Sequence, residues 1–179
     1  EADVREHLSE TSLKDFPIIP VSAVSGYNMD VLKEAINALL VSAPETSEDD
    51  NPILWIDRVF TIKGAGTVVT GTLMDGSLHV GMDVVIEPAG LEARIRTLQT
   101  QTKPVETGVA HSRLAVNLTG VEKASLSRGM YLALPKRRPY VSLINAFVRV
   151  LPQASSALET GQQIKLYVGT LETMAMVKV

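Results

Sequence analysis

Trp55-Ile56-Asp57-Arg58-Val59-Phe60-Thr61-Ile62-Lys63-Gly64-Ala65-Gly66-Thr67-Val68-Val69-Thr70-Gly71-Thr72-Leu73 is the stretch on which the reading of this chain turns. Two runs of β-branched and aromatic residues flank a Lys-Gly-Ala-Gly break whose glycines can take positive φ. The local expectation is therefore two antiparallel strands joined by a tight turn. Asp57 and Arg58 stand side by side in the first, otherwise apolar, strand. Neighbours in a regular strand face opposite sides of the sheet, so at least one of these charges is expected to meet the interior or a partner surface.

Downstream, strand-forming segments recur near 53–62, 66–74, 83–87, 92–101, 113–119 and 130–134, separated by turn signals such as Asp75-Gly76, Val80-Gly81, Pro88-Ala89-Gly90, Thr107-Gly108 and Arg128-Gly129. Short strands with glycine-rich turns and little helix predict a closed six-stranded β-barrel over 53–134, in a chain that is mainly β. Upstream, residues 2–10 read as a short helix and Phe16–Ala23 as a buried strand. Ser25-Gly26-Tyr27-Asn28 then makes a turn, with Asn28 as N-cap. Val31, Leu32, Ala35, Ile36, Leu39 and Leu40 share one face of a helix over 28–41. Strand, turn and amphipathic helix predict the terminal β-α piece of an α/β domain over 1–47, so the chain is expected to begin inside such a domain. The acidic, Pro- and Ser-containing run Ser42–Pro52 marks the first boundary, with the linker at 48–52. A second linker at 135–140 holds Lys136-Arg137-Arg138 between two prolines. Beyond it, strands at about 141–151, 163–169 and 171–179 predict part of a further β-barrel, too few strands to close one.

Composition bounds the chemistry. The 179 residues are 45% hydrophobic, enough for one large domain or two small ones with packed cores. No apolar run is long enough to span a bilayer, and the first residues lack the basic and apolar regions of a signal peptide, so a cytoplasmic location without membrane contact is the default expectation. The chain has no cysteine and three scattered histidines, His7, His79 and His111. Disulfides and thiolate metal sites are thereby excluded, and no bound metal is expected. The net charge of −3 is split: residues 1–52 carry eleven acids and three bases, residues 53–179 nine acids and fourteen bases. The basic portion suits a polyanion such as RNA, and solvated lysines and arginines explain it equally well.

Asp57 through Leu73, together with Val121-Glu122-Lys123 and Leu126-Ser127-Arg128-Gly129, resembles the second-domain signature of translational GTPases. Val21-Ser22-Ala23 resembles their last guanine-recognition motif. Within that superfamily, Arg113-Leu114-Ala115-Val116-Asn117-Leu118-Thr119-Gly120-Val121 and Leu166-Tyr167-Val168-Gly169-Thr170-Leu171-Glu172 with Ala175 resemble the selenocysteine-specific elongation factors more than elongation factor Tu. The family usually has His where Tyr167 stands, Arg where Met176 stands and Gly-Gln where His111-Ser112 stand. The resemblance implies a translation-factor β-barrel in a fragment spanning the end of a GTPase domain, domain 2 and part of domain 3. The parent would bind selenocysteinyl-tRNA, with GTP and Mg as cofactors, and deliver it to the ribosome. The G-x-x-x-x-G-K-[ST] phosphate loop, the Asp-x-x-Gly and the Asn-Lys-x-Asp patterns are absent from these residues, so no bound nucleotide and no GTP hydrolysis are expected within them. The alternatives are a general elongation factor Tu-like protein, the GTPase subunit of a sulfate-activating enzyme, or a β-barrel interaction module that touches no RNA.

By the same resemblance Asp57, Arg58 and Arg113 line the pocket for the aminoacyl group. A selenol is more acidic than a thiol, so fixed guanidinium charges can select its anion over a neutral serine hydroxyl. The bland reading is that Asp57 pairs with one arginine and only pins the strands. Lys63, Gly64, Gly66, His111 and Ser112 are candidate contacts for the tRNA 3′ end. Against this, Gly64 and Gly66 serve a simple hairpin turn, Lys63 is solvated and His111 is a surface-loop histidine. Ser22 and Ala23 are the guanine-recognition remnant, and Lys136-Arg137-Arg138 either clamps RNA phosphates or is merely exposed. Unpaired strand edges in the last segment, with Val141, Leu143, Ile144, Phe147, Val148 and Val150, predict self-association.

Overall fold

A computed structural model of the chain describes residues 1–42, 51–64, 66–135, 141–152, 154 and 156–179. Most of the two expected linkers, including Lys136-Arg137-Arg138, lies outside the described residues. The chain groups into two compact units, Glu1–Glu45 with Ala146–Leu158, and Thr46–Asn145 with Glu159–Val179.

The hairpin forms as read. β1 (Ile53–Ile62) runs antiparallel to β2 (Gly66–Asp75), with Ile62 opposite Gly66 and both Gly64 and Gly66 at positive φ in the turn. The following strands are β3 (Ser77–His79), β4 (Asp83–Glu87), β5 (Leu91–Thr100), β6 (Lys103–Val105), β7 (Thr107–Val109), β8 (Arg113–Thr119) and β9 (Tyr131–Ala133). Antiparallel pairings run β1-β2-β8-β5-β4-β9 and return to β1, which closes a six-stranded barrel. Closure removes the free edges that an open sheet would leave. β6 extends β5, and β3 and β7 form a separate ribbon.

The barrel interior is filled mainly by alternate residues of its strands, as a period of two dictates, with a register shift in β5 between Ile95 and Thr97 that brings Leu98 back to the core. Leu114, Val116 and Leu118 from β8 meet Leu54 and Ile56 from β1, Val69 and Leu73 from β2, Ile86 from β4, Ile95 and Leu98 from β5 and Leu132 from β9, all at 2% exposure or less. β1 breaks the period once. Ile56 lies opposite Gly71 and Arg58 opposite Thr70, so Asp57 is the extra residue of a β-bulge. Before the bulge Leu54 and Ile56 enter the core; after it Val59 packs there. The change of phase puts Asp57 and Arg58 on the same, outer, side of the wall. Of the two expected alternatives, interior or partner surface, the bulge removes the first: neither charge faces inward, and the conflict that a regular strand would create does not arise. Gly71 makes the bulge feasible, because a Cβ there would lie 2.0 Å from the Trp55 carbonyl oxygen and 2.7 Å from the Leu54 side chain.

In the first unit, α1 (Ala2–Leu8) and α2 (Met29–Ser42) stand where helices were expected. Phe16–Ala23 is not the buried strand that was expected: Ser22 alone bridges, to Tyr27, and Phe16 is 50% exposed. A parallel strand is held by ladders to its neighbours, and among the described residues no strand pairs with this segment. Asn28 stands at the N-cap position of α2, its carbonyl accepting the Leu32 N–H at 3.0 Å, but with φ of 53° its side-chain amide donates to the Pro20 carbonyl at 3.0 Å and so closes the turn. Towards the other end, β10 (Gln163–Val168) and β11 (Leu171–Met176) form an antiparallel hairpin. The expected strand at 141–151 is irregular, because β-forming residues need a partner ladder and no described strand supplies one.

Candidate functional site

The outer wall of the barrel gathers charge where β1, β2 and β8 lie side by side. Thr70 faces Arg58 across one ladder and Thr72 faces Arg113 across the other. Paired residues share a face, and so do residues two apart on one strand, so Arg58, Thr70, Thr72 and Arg113 all project outward. The bulge adds Asp57 to the same face. Both Arg113 terminal nitrogens donate to the Asp57 carboxylate, one through the close Nη1–Oδ2 contact and the other from Nη2 to Oδ1 at 3.1 Å. Thr70 completes the cluster: its hydroxyl donates to Asp57 Oδ1 at 2.7 Å and accepts from Arg113 Nη2 at 3.3 Å. This is a two-pronged arginine–carboxylate pair, the geometry that suits a planar guanidinium.

The electrostatics follow from that geometry. Burial pushes the Asp57 carboxyl up, but the Arg113 and Thr70 hydrogen bonds and the charges of Arg113 and Arg58 outweigh it and hold the group below its ordinary value. The Asp57 hydrogen bond raises Arg113 above its ordinary value against a smaller cost of burial, and the carboxylate charge adds to the rise. The Asp57 side chain is 18% exposed, whereas that of Arg113 is 54% exposed. The anion is thus sheltered beneath a cation that still meets solvent. Arg58 is exposed and makes no ion pair among the described residues. One carboxylate and two guanidinium groups leave the cluster with a net charge of +1.

The other sequence candidates fall in separate places. Lys63, Gly64 and Gly66 occupy the β1–β2 turn, with open space around both glycines. Gly66 and Thr72, the residue opposite Arg113, are the ends of a seven-residue run of β2, which places the turn about 20 Å from Arg113. His111 and Ser112 form the turn that leads into β8: the His111 N–H donates to Leu73 O at 2.7 Å, the Leu73 N–H to Ser112 O at 3.0 Å, and the Ser112 hydroxyl to Val109 O. The 3′-end candidates therefore divide between the two ends of β2. A broad groove at the turn end is lined by Gly64, Gly66, Arg96, Thr119, Gly120 and Lys123, and none of Asp57, Arg58 or Arg113 borders it. Ser22 is half-buried, Ala23 is exposed, and the Ser22 hydroxyl accepts the Ser25 N–H at 3.3 Å. Among the described residues no three acidic or histidine side chains come together as a metal would require, and no helix is long and apolar enough to cross a membrane. Sequence reading missed Thr70, whose role appears only once the register sets it between Arg58 and Arg113.

The closed antiparallel barrel has the fold of the second domain of translation elongation factors: residues 66–133, from β2 through β9, match the family model described as elongation factor Tu domain 2. The chain is, more particularly, a homologue of the selenocysteine-specific elongation factors. It is 35% identical over 173 residues to that of Desulfomicrobium baculatum, covering 97% of this chain and 27% of the relative. It is 36% identical over 133 residues to that of Escherichia coli K12, covering 74% of this chain and 21% of the relative. The crystal structure of translation elongation factor SelB from Methanococcus maripaludis with the GTP analogue GppNHp superposes with a TM-score of 0.86 at 29% identity, covering 98% of this chain and 39% of that one. The chain spans 27% and 21% of the length of these two curated relatives.

Proposed function

We propose that this chain is the aminoacyl-tRNA platform of a factor that carries selenocysteinyl-tRNA to the ribosome under the control of GTP and Mg, with Asp57, Arg58 and Arg113 at the aminoacyl end. The observation that carries the reading is the outward cluster of Asp57, Thr70 and Arg113 with the unpaired Arg58 on the same face. Its net charge of +1 matches a single anion, and a selenolate at neutral pH is one. A guanidinium has five N–H donors, and three hydrogen bonds join Arg113 to Asp57 and Thr70, so donors remain for a ligand. Asp57 cannot itself accept an anion; in this reading it holds Arg113 in place. Nucleotide and metal belong to the parent protein, and Lys63, Gly64, Gly66, His111 and Ser112 remain the candidate contacts of the tRNA end.

The test is binding of selenocysteinyl-tRNA against seryl-tRNA by the full-length factor. Arg113→Ala and Arg58→Gln are each expected to weaken the selenocysteinyl complex roughly ten- to hundredfold, the weight of one charge-assisted contact, and the seryl complex much less. Equal losses for both tRNAs would assign the arginines to phosphate contact or packing. No loss for either would leave a barrel that pins its strands with Asp57 and Arg113 and binds RNA elsewhere or not at all.

A further inference from the structure

The tip of the β10–β11 hairpin rests on the barrel at the bulge. The Thr170 hydroxyl donates to Ile56 O at 2.6 Å, a contact between residues 114 positions apart. The Ile56 carbonyl also accepts the Gly129 N–H at 3.2 Å, and the Ile56 N–H donates to Met130 O at 2.9 Å. Next to Thr170, Gly169 lies so close to the Trp55 indole that a Cβ would come within 2.2 Å of its ring, and φ there is +56°. Only glycine meets both conditions without strain. From the barrel side the Arg128 Nε–H donates to Thr170 O at 3.4 Å, while Gly129 passes so close to Leu171 that a Cβ would lie 3.0 Å away. The tip therefore packs against Trp55, Arg128 and Gly129 around the bulge, and through the Thr170 hydroxyl it reaches the residue immediately before Asp57.

A bulge is the place in a ladder where regular pairing does least to fix the backbone. Ile56 and Asp57 share a rigid peptide plane, so whatever holds the Ile56 carbonyl sets the direction in which the Asp57 chain leaves that plane. We infer that Gly169 and Thr170 are positioning residues: the hairpin tip clamps the Ile56–Asp57 peptide and so aims Asp57 at Arg113. The inference rests on the proposed aminoacyl reading only for its consequence in binding. The clamp itself is a statement about the barrel and its hairpin.

Two readouts separate the parts. In the 179-residue chain, water exchange of the Arg113 guanidinium protons, followed by nitrogen-15 NMR, reports how firmly Asp57 holds it. Thr170→Val keeps the shape and removes the donor; exchange is expected to quicken severalfold, and Thr170→Ser to restore the slow rate. Arg128→Gln loosens the same clamp from the barrel side and is expected to act in the same direction. Lys165→Met breaks the 2.7 Å ion pair to Glu172 within the hairpin but leaves Gly169, Thr170, Ile56 and Arg128 in place, and is expected to change nothing at Arg113. Unchanged exchange in both Thr170→Val and Arg128→Gln, or an equal change in Lys165→Met, would overturn the inference. In the full-length factor, Thr170→Val is expected to lower the preference for selenocysteinyl- over seryl-tRNA by roughly fivefold, about one hydrogen bond. Loosened Arg113 protons with an unchanged preference would support the clamp and count against the aminoacyl reading.

Discussion

Asp57 is a half-buried carboxylate whose burial pushes its pKa up, and Arg113, Thr70 and Arg58 around it outweigh that push and favour the charged form. Since its folded-state pKa lies below the ordinary carboxylate value, its stabilising effect is complete above that value, about 3.9, and is lost as pH falls through the lower folded one. Asp57→Asn should therefore lower the urea midpoint at neutral pH and flatten its fall on acidification below about pH 4, where wild type and variant converge. An unchanged acid limb would mean that the pair carries no proton linkage. Arg113→Met, by leaving Asp57 sheltered without its partner, should cost about 1 kcal/mol at neutral pH, modest because the guanidinium is half exposed. Asp57 and Arg58 were legible in the sequence, since acid and base in an apolar strand stand out against their neighbours, whereas Arg113, at the start of another strand, was named only through the family resemblance. Thr70 was not legible. It is one of several threonines in the hairpin with Thr61, Thr67 and Thr72, and only the pairing of three strands selects it.

The bulge in β1 is the device that turns a strand's two adjacent charges to one side. Its demand falls on the partner strand: Gly71 lies where a side-chain carbon would strike the Trp55 carbonyl at 2.0 Å. A collision with backbone cannot be relieved by a rotamer change, so Gly71→Ala should destabilise the barrel by about 3 kcal/mol or more, or shift the β1–β2 register. Thermal unfolding measures the first and amide exchange across the hairpin the second; a wild-type melting temperature with intact register would contradict the geometry. The hairpin itself was readable, because two β-rich runs around Lys63-Gly64-Ala65-Gly66 leave little else for the chain to do. The bulge was not, since it depends on which residue of β2 faces which residue of β1. Phe16–Ala23 and 141–151 fail as strands for a related reason: apolar, β-branched sequence states a willingness to pair, and the ladder depends on a neighbour.

Closure distinguishes the barrel from the rest of the chain. Its core residues are sealed, whereas Leu143 is 79% exposed, Phe147 fully exposed, and the α2 face at Ile36, Leu39 and Leu40 lies about half exposed or more. Apolar surface of that extent favours association. The 179-residue chain is expected to form dimers or larger species as its concentration rises, and light scattering over a dilution series measures this; a strictly monomeric chain at high concentration would show that these side chains find cover within one copy. Another property of the barrel lies in how it closes. Leu54 pairs with Leu132 and Trp55 with Tyr131, so the first and last strands of the ring are neighbours. The polypeptide enters and leaves about one strand spacing apart, about 4.8 Å. Such a body has the end spacing of a cassette, the distance that the two ends of a surface loop in a host protein span. Its native ends can equally be joined and new ones opened in the Pro88-Ala89-Gly90 turn, without redrawing a single rung. The same closeness makes the ring weak against traction, because a pull on its two ends loads only the short seam between β1 and β9 and peels it rung by rung.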